Sequence, residues 1–338
     1  MLKIGLVSPF LPEKDGIAIY SDNLIKGTKN IVKIGRTVGA DYLIDFKSSK
    51  LKEQLEKIIM KEKLSVIHIQ YVASFFNKFF NLNLIRALNL SVPVIVTLHE
   101  VHYRKRNFKD HVLGIIEKLI VRNAAMVIVH TPKQAKFLER NYSVKNVKVI
   151  YHGLRLNKFP SRKKGKNILC FGMLSTNKGV QYLISAMKYL NDFKLTIAGR
   201  FVDLQSKELI LGALKQSKAE IKTDFEWIEE KTKEGYYKKA DIVVLPHVWA
   251  PYQSGILHNS IAWGLPVVVT RVGALYEMAE LFGLGEVVEP KSPKALGEAI
   301  KKVHKNHQIY QKGIKNYREK ANWGQITKEH LELYNEIH

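Results

Sequence analysis

Short apolar runs rich in β-branched residues recur along this 338-residue chain, and segments with helical spacing lie between them. In the first half the runs fall at 2–7, 66–70, 92–98, 127–129 and 147–151; in the second they fall at 168–172, 195–199, 225–228, 241–246 and 267–269. Continuous apolar strands are buried on both faces, the condition of a parallel sheet covered by helices on either side. Intervening helices, as at 17–27, 48–61 and up to Leu190, supply that cover and the crossover each parallel pair needs. The pattern predicts an α/β protein built of two Rossmann-like, doubly wound domains. A polar, basic stretch at 157–167, NKFPSRKKGKN, breaks the alternation and reads as the linker. No short-period repeat or low-complexity segment competes with this reading.

The length suits two cores, each large enough to bury a proper interior. Lys and Arg number 54 against 31 Asp and Glu, a net charge of +23. Such a field favours anionic partners such as nucleotides, phospholipid surfaces or nucleic acid, although a Lys-rich surface is also general surface chemistry. The single cysteine, Cys170, excludes an internal disulfide framework and fits a reducing compartment. The N-terminal apolar run is too short for a signal peptide, and no stretch approaches a transmembrane helix. A cytoplasmic location is expected.

Candidate site residues cluster where strands end. Ser8-Pro9 closes the first strand, and a loop containing Asp15 and Gly16 leads into the first helix, although without a GxGxxG fingerprint. The run at 92–98 delivers His99 and Glu100 to the loop beyond it, the edge at which parallel sheets bind ligands. His130 closes the next strand, followed by Thr131-Pro132, an N-cap with proline at the first helical position. Further on, Ser254-Gly255-Ile256 opens a short helix that Gly264 ends and Pro266 prevents from continuing. A helix N-terminus offers N–H groups and positive potential to a phosphate. The same features suit an ordinary α/β turn. Glu277 lies just after the following strand and Gly273.

Several segments in fixed order resemble the GT-B glycosyltransferases, in particular glycosyltransferase family 4. They are FGMLSTNKG at 171–179, ADIVVLP at 240–246 and SGILHNSIAWGLPVVVTRVGALYE at 254–277. In the first half, SPFLPEKDGIAIYSDNL at 8–24, VTLHE at 96–100 and YHGLRLNKF at 151–159 are similar to the family's glycine loop, histidine-bearing strand end and interdomain segment; ANWGQITKEHLELY at 321–334 is similar to its closing helix. The resemblance implies two Rossmann-like domains facing across a cleft: an acceptor-side domain at 1–160, a nucleotide-sugar domain at 161–320, and a closing helix at 321–338 packing back on the first. It implies retaining transfer of a sugar from a nucleotide-sugar donor, with no metal ion and no cofactor. Lys178 falls at the lysine that binds the donor phosphates, where an ammonium offsets the charge of the departing diphosphate. Ser254, Gly255 and Ile256 fall where backbone N–H groups meet the donor, and Gly16 at the loop approaching the diphosphate. His99 falls at the histidine near the reacting carbon, and Glu277 at the glutamate after the second glycine turn.

The chain also departs from the family pattern. Met173 stands where an arginine is common, and the glutamates separated by seven residues would fall at Tyr252 and Ser260. Both are absent, which points to a subgroup with an SG motif and leaves the donor's sugar unidentified. Arg200 and Arg271, at strand ends, are candidates to replace the missing guanidinium. Two rival functions remain: a GT-B sugar-nucleotide epimerase, and a catalytically degenerate basic binding protein. The expected acceptor is a glycan or lipid-linked hydroxyl. Aromatics at 75–80 beside basic residues at 102–109 suggest peripheral contact with anionic membrane at its inner face, with a core-facing cluster and a basic loop as the alternatives. No nucleic-acid-binding motif is present.

Overall fold

The computed structural model describes residues 2–13, 15–76, 82–102, 108–156, 164–250 and 254–338. Its contacts divide it into two compact units, one of Met1–Gly153 with Trp323–His338 and one of Leu154–Asn322. Among the described residues no helix is long and apolar enough to cross a membrane.

The first unit holds strands β1 (Ile4–Val7), β2 (Ile31–Gly35), β3 (Tyr42–Leu43), β4 (Val66–Tyr71), β5 (Val94–Leu98), β6 (Met126–Val129) and β7 (Val147–Val149). Their order is β3-β2-β1-β4-β5-β6-β7, and every pairing is parallel. β1 thus lies between β2 and β4, the point where winding reverses and where a doubly wound sheet opens a crevice at its carboxyl edge. One face carries a large apolar cluster that includes Ile34, Ile67, Ile69, Val96 and Val127. The other carries Ile4, Val66, Ile95, Ile128 and Ile150, and Ile326, Leu333 and Tyr334 of the last helix, Trp323–Ile337, pack against them. That helix contributes its apolar stripe to a sheet whose strands all lie between Ile4 and Val149. Truncating fully buried Leu333 to alanine would cost about 2–5 kcal/mol.

The second unit repeats the plan with β8 (Asn167–Phe171), β9 (Lys194–Ala198), β10 (Ile221–Asp224), β11 (Ile242–Leu245), β12 (Val267–Thr270) and β13 (Gly285–Val288). Their order is β10-β9-β8-β11-β12-β13, again all parallel, with β8 at the reversal. β11 and β12 are buried along their whole length, as their unbroken apolar sequence requires.

The strand expected at 225–228 is displaced. β10 is Ile221–Asp224, an edge strand whose Lys222 and Thr223 are exposed, so it lacks the apolar run that marks its neighbours. Phe225 follows it and packs on Phe201, ring centroids 4.6 Å apart, as a core plug beyond the strand. Strands β2, β3 and β13 were also not read from the sequence: β3 has two residues, and β13 is only partly buried.

Candidate functional site

At the carboxyl edge of the first sheet, one face changes from apolar to polar along each strand. Side chains two apart share a face of a strand, so Val66 is followed by His68 and Gln70, Ile95 by Thr97 and His99, and Ile128 by His130. Register pairs His68 with Ile95, Gln70 with Thr97 and Thr97 with Ile128, which sets the polar groups beside one another. Buried polar groups must find partners. Here most find each other.

His130 Nδ1 donates to the Ile150 carbonyl at 2.9 Å, so in the neutral ring its Nε2 is an acceptor. His99 Nδ1 stands 3.4 Å from that Nε2, and His99 Nε2 donates to Gln70 Oε1 at 2.7 Å. The Gln70 amide donates to His68 Nε2 at 3.2 Å; Thr97 Oγ1 approaches the same nitrogen at 2.8 Å, and His68 Nδ1 meets the Tyr334 hydroxyl at 2.7 Å. A continuous hydrogen-bonded file therefore joins strand-end His99 to the last helix.

Tyr20, from the helix Gly16–Lys26, closes this layer. Its ring stands edge-on to His99 at 5.0 Å, to His152 at 5.2 Å and to Trp323 at 5.0 Å. Burial holds the imidazoles neutral: His68 and His99 are pushed well below the usual range, His130 and His330 to about 4, and His152 to about 3. Beyond His99, burial pushes the Glu100 carboxyl up. Glu117, 1% exposed, accepts from the His102 backbone N–H and from the Tyr142 hydroxyl, and so anchors the chain as it leaves the strand.

Among the sequence-predicted residues of this unit, His99 is 5% exposed, with Nε2 donating to Gln70 and Nδ1 standing 3.4 Å from His130 Nε2. Gly16 is the first residue of its helix, behind Asp15, whose side chain accepts from Ile17 N. Gly16 has no positive φ, and a Cβ there would meet nothing within 4 Å, so neither turn geometry nor packing demands a glycine. Phe75 and Phe76 are core residues, Phe76 stacking on Phe46 at 5.1 Å. The expected aromatic positions Phe79 and Phe80 and the basic Arg104, Lys105 and Arg106 lie outside the described residues.

In the second unit the carboxyl edge gathers Lys178, Ser254, Gly255, Ile256 and Glu277. Ser254 caps the helix Gly255–Ala262, its hydroxyl accepting from Leu257 N at 3.4 Å. The N–H groups of the first helical residues have no intrahelical acceptor, which leaves an anion seat there. Gly255 is exposed, again without positive φ and with nothing within 4 Å of a Cβ. Ile256 packs toward Gly172 at the end of β8. Glu277 sits in the first turn of the helix Leu275–Phe282, 7% exposed.

Lys178 ends the turn Thr176–Lys178 beyond β8, and its Nζ lies 2.9 Å from His247 Nε2, just past β11. The two loops interlock. Asn177 O accepts from Val248 N at 2.7 Å, and Asn177 Nδ2 donates to Trp249 O at 3.0 Å. Gly179, at φ 65°, carries no Cβ because one would fall 2.1 Å from the Pro246 carbonyl oxygen. Thr270 Oγ1, at the end of β12, donates to the His247 carbonyl at 2.5 Å.

The departures also have positions. Ser260 is buried and donates to Ile256 O within its own helix at 2.7 Å, so no carboxylate replaces the missing glutamate there; Tyr252 lies outside the described residues. Met173 is 59% exposed. Arg271 is held by Glu280 at 2.8 Å and Glu289 at 3.0 Å, whereas Arg200 lies 5.4 Å over the Trp227 ring. Among the described residues no group of three or more His, Cys, Asp or Glu is arranged to hold a metal ion.

His247, Gln70, Tyr20, Tyr334 and His330 were not singled out from sequence. Polar residues two apart within an apolar run were the available signal for Gln70; for the others only the fold supplies the neighbours.

Two all-parallel, doubly wound α/β units, each with polar groups at its carboxyl edge, define a two-domain protein of the Rossmann-like class. Residues 15–158 match the model of Glycosyltransferase Family 4, and residues 165–306 that of Glycosyl transferases group 1. The chain belongs to the GT-B glycosyltransferases of the family 4 kind. An uncharacterized glycosyltransferase of Methanocaldococcus jannaschii is 32% identical over 177 residues, 50% of this chain and 44% of the relative. Mannosylfructose-phosphate synthase of Agrobacterium fabrum is 27% identical over 230 residues, 60% of this chain and 50% of the relative. The chain thus spans about half the length of these curated relatives. In fold it is similar to HepE of Anabaena, solved in complex with UDP-glucose, with a TM-score of 0.76 and 14% identity over 99% of this chain and all (100%) of that one.

Proposed function

We propose that this protein is a retaining, metal-independent glycosyltransferase that moves a sugar from a nucleotide-sugar donor to a glycan or lipid-linked hydroxyl, at a cytoplasmic site and without a further cofactor. The observation that carries this reading is the second unit's edge: Lys178 and the capped N-terminus of the helix Gly255–Ala262 offer a diphosphate one ammonium and a set of backbone N–H groups. UDP-glucose, bound by the HepE protein of similar fold, heads the list of donors to try. Glu277, buried in the first turn of the next helix, completes the proposed donor-binding set.

In the first unit, Gly16 leaves room for the diphosphate and His99 marks the acceptor side. Contact of His99 with a sugar hydroxyl requires Nε2 to exchange Gln70 for it. Membrane approach falls to Phe108, Ile115 and Leu119, which are exposed along the helix Phe108–Asn123 with Arg122 beyond them. Sedimentation with anionic liposomes at low salt tests this contact; no co-sedimentation removes it.

The deciding experiment is a thermal-shift screen across nucleotide sugars. A ligand bound only by the folded chain raises its apparent stability. Stabilisation by one donor, lost in Lys178→Ala, supports the reading. A flat response across the panel sinks it.

A further inference from the structure

We propose that His247 is a positioning residue for Lys178, holding its ammonium in the direction a donor diphosphate needs while leaving its charge intact. The inference rests on the reading of Lys178 as the phosphate-binding lysine and goes beyond it, because no part of that reading concerns residue 247.

The geometry begins with the 2.9 Å contact between Lys178 Nζ and His247 Nε2. An ammonium has donors only, so Nε2 must be the acceptor and the ring must be neutral, with its proton on Nδ1. That Nδ1 is buried without a partner in hydrogen-bond geometry among the described residues, while the Leu245 carbonyl favours a proton on the ring. The environment agrees: burial first, and the Lys178 charge second, push His247 down to about 3. His247 is 4% exposed, and its own backbone is fixed by Thr270, which bonds its carbonyl. Adjacent residues Asn177 and Val248 lock the two loops together, and Gly179 lets them close. The imidazole is therefore a fixed acceptor, referenced to the ends of three neighbouring strands, β8, β11 and β12.

The chemistry explains why an imidazole suits the position. A free lysine side chain carries considerable rotamer entropy, which a ligand must remove unless the protein has already done so. A carboxylate would orient the ammonium equally well but would cancel the charge that attracts phosphate. A neutral imidazole orients it without cancelling it, and takes one of three N–H donors.

The test is a double-mutant cycle read by calorimetric titration of the full chain with two probes, UDP and inorganic pyrophosphate. His247→Leu, which has no acceptor, is expected to weaken both probes on the order of tenfold. His247→Gln, whose Oε1 can take the Lys178 proton, is expected to recover most of that loss. In a Lys178→Ala background, His247→Leu should change nothing further, because His247 acts only through Lys178. Equal losses in the two backgrounds, or no loss in His247→Leu, overturn the proposal while leaving Lys178 in place. If Lys178→Ala itself binds both probes as the wild type does, the phosphate reading falls and the proposal with it. Nitrogen-15 shifts of His247 supply a readout that does not depend on binding: the Nδ1–H tautomer is expected between pH 5 and pH 8, and a protonated or Nε2–H ring in wild type overturns the proposal even if the variants fold poorly.

Discussion

His99 Nδ1 and His130 Nε2 face each other at 3.4 Å, and the neutral file to which they belong admits two proton patterns. With Gln70 Oε1 toward His99, the His99 proton sits on Nε2 and two lone pairs confront each other across the 3.4 Å gap. Turning the Gln70 amide over moves the His99 proton to Nδ1, fills that gap with an N–H···N bond, and shifts the His68 proton to Nε2. Gln70, bonded to both His68 and His99, links these tautomers. Gln70→Leu is expected to destabilise the chain by about 1–3 kcal/mol through orphaned imidazole nitrogens, measured by urea unfolding. An unaltered midpoint would show that the file is not a structural unit.

Six imidazoles held neutral by burial, His68, His99, His130, His152 and His330 in the first unit and His247 in the second, predict a specific acid response. Their folded pKa values lie below the unfolded value of about 6.5, so between the two the unfolded chain binds more protons and stability falls as pH falls. The loss begins near pH 6.5 and continues through the folded values of about 4 for His130 and His330 and about 3 for His152. Each histidine contributes up to about 1.4 kcal/mol per pH unit within its window. Glu100, whose carboxyl is raised by burial, has the opposite sign and offsets part of it. Unfolding midpoints taken between pH 7.5 and pH 5, above most carboxylate titration, should drop steadily; a flat profile contradicts neutral burial of the cluster.

Gly16→Ala and Gly255→Ala separate function from fold. Neither site has positive φ or a neighbour for a Cβ, so the fold should accept alanine within about 1 kcal/mol. Donor binding should nevertheless fall tenfold or more if the diphosphate approaches the backbone at these glycines as proposed. Melting curves and donor titrations on the same samples check this, and unchanged affinity removes both glycines from the site.

Two of the hydroxyl helix caps, Thr131 and Ser254, offer a contrast. Thr131→Ala breaks a capping box with Gln134 and should cost about 1 kcal/mol with donor binding intact. Ser254→Ala should cost a similar amount and weaken the donor as well, since its helix start is the proposed anion seat. Equal donor affinities in the two variants would argue against that seat.

For transfer itself, His99→Ala is expected to retain donor binding and lose most turnover, and wild-type turnover should be the same with and without a chelator. Unchanged turnover in the variant, or inhibition by the chelator that an added divalent ion restores, would each overturn the corresponding assignment.

The sequence by itself determined the fold class and which polar residues stand past the strand ends. Continuous apolar runs such as Val267-Val268-Val269 require burial on both faces, and the residues placed just past them, His99, Lys178 and Ser254, follow from strand ends and caps, which are local. It did not locate β10, because an edge strand such as Ile221–Asp224 needs only one apolar face and carries lysine and threonine in the open. Nor did it pair Lys178 with His247, 69 positions away, or bring Tyr334 onto His68 across 266. Those contacts are decided by sheet order and by the return of the last helix. Hydrogen bonds at such separations have no signature in local periodicity, so only the tertiary structure settles which buried polar group answers which.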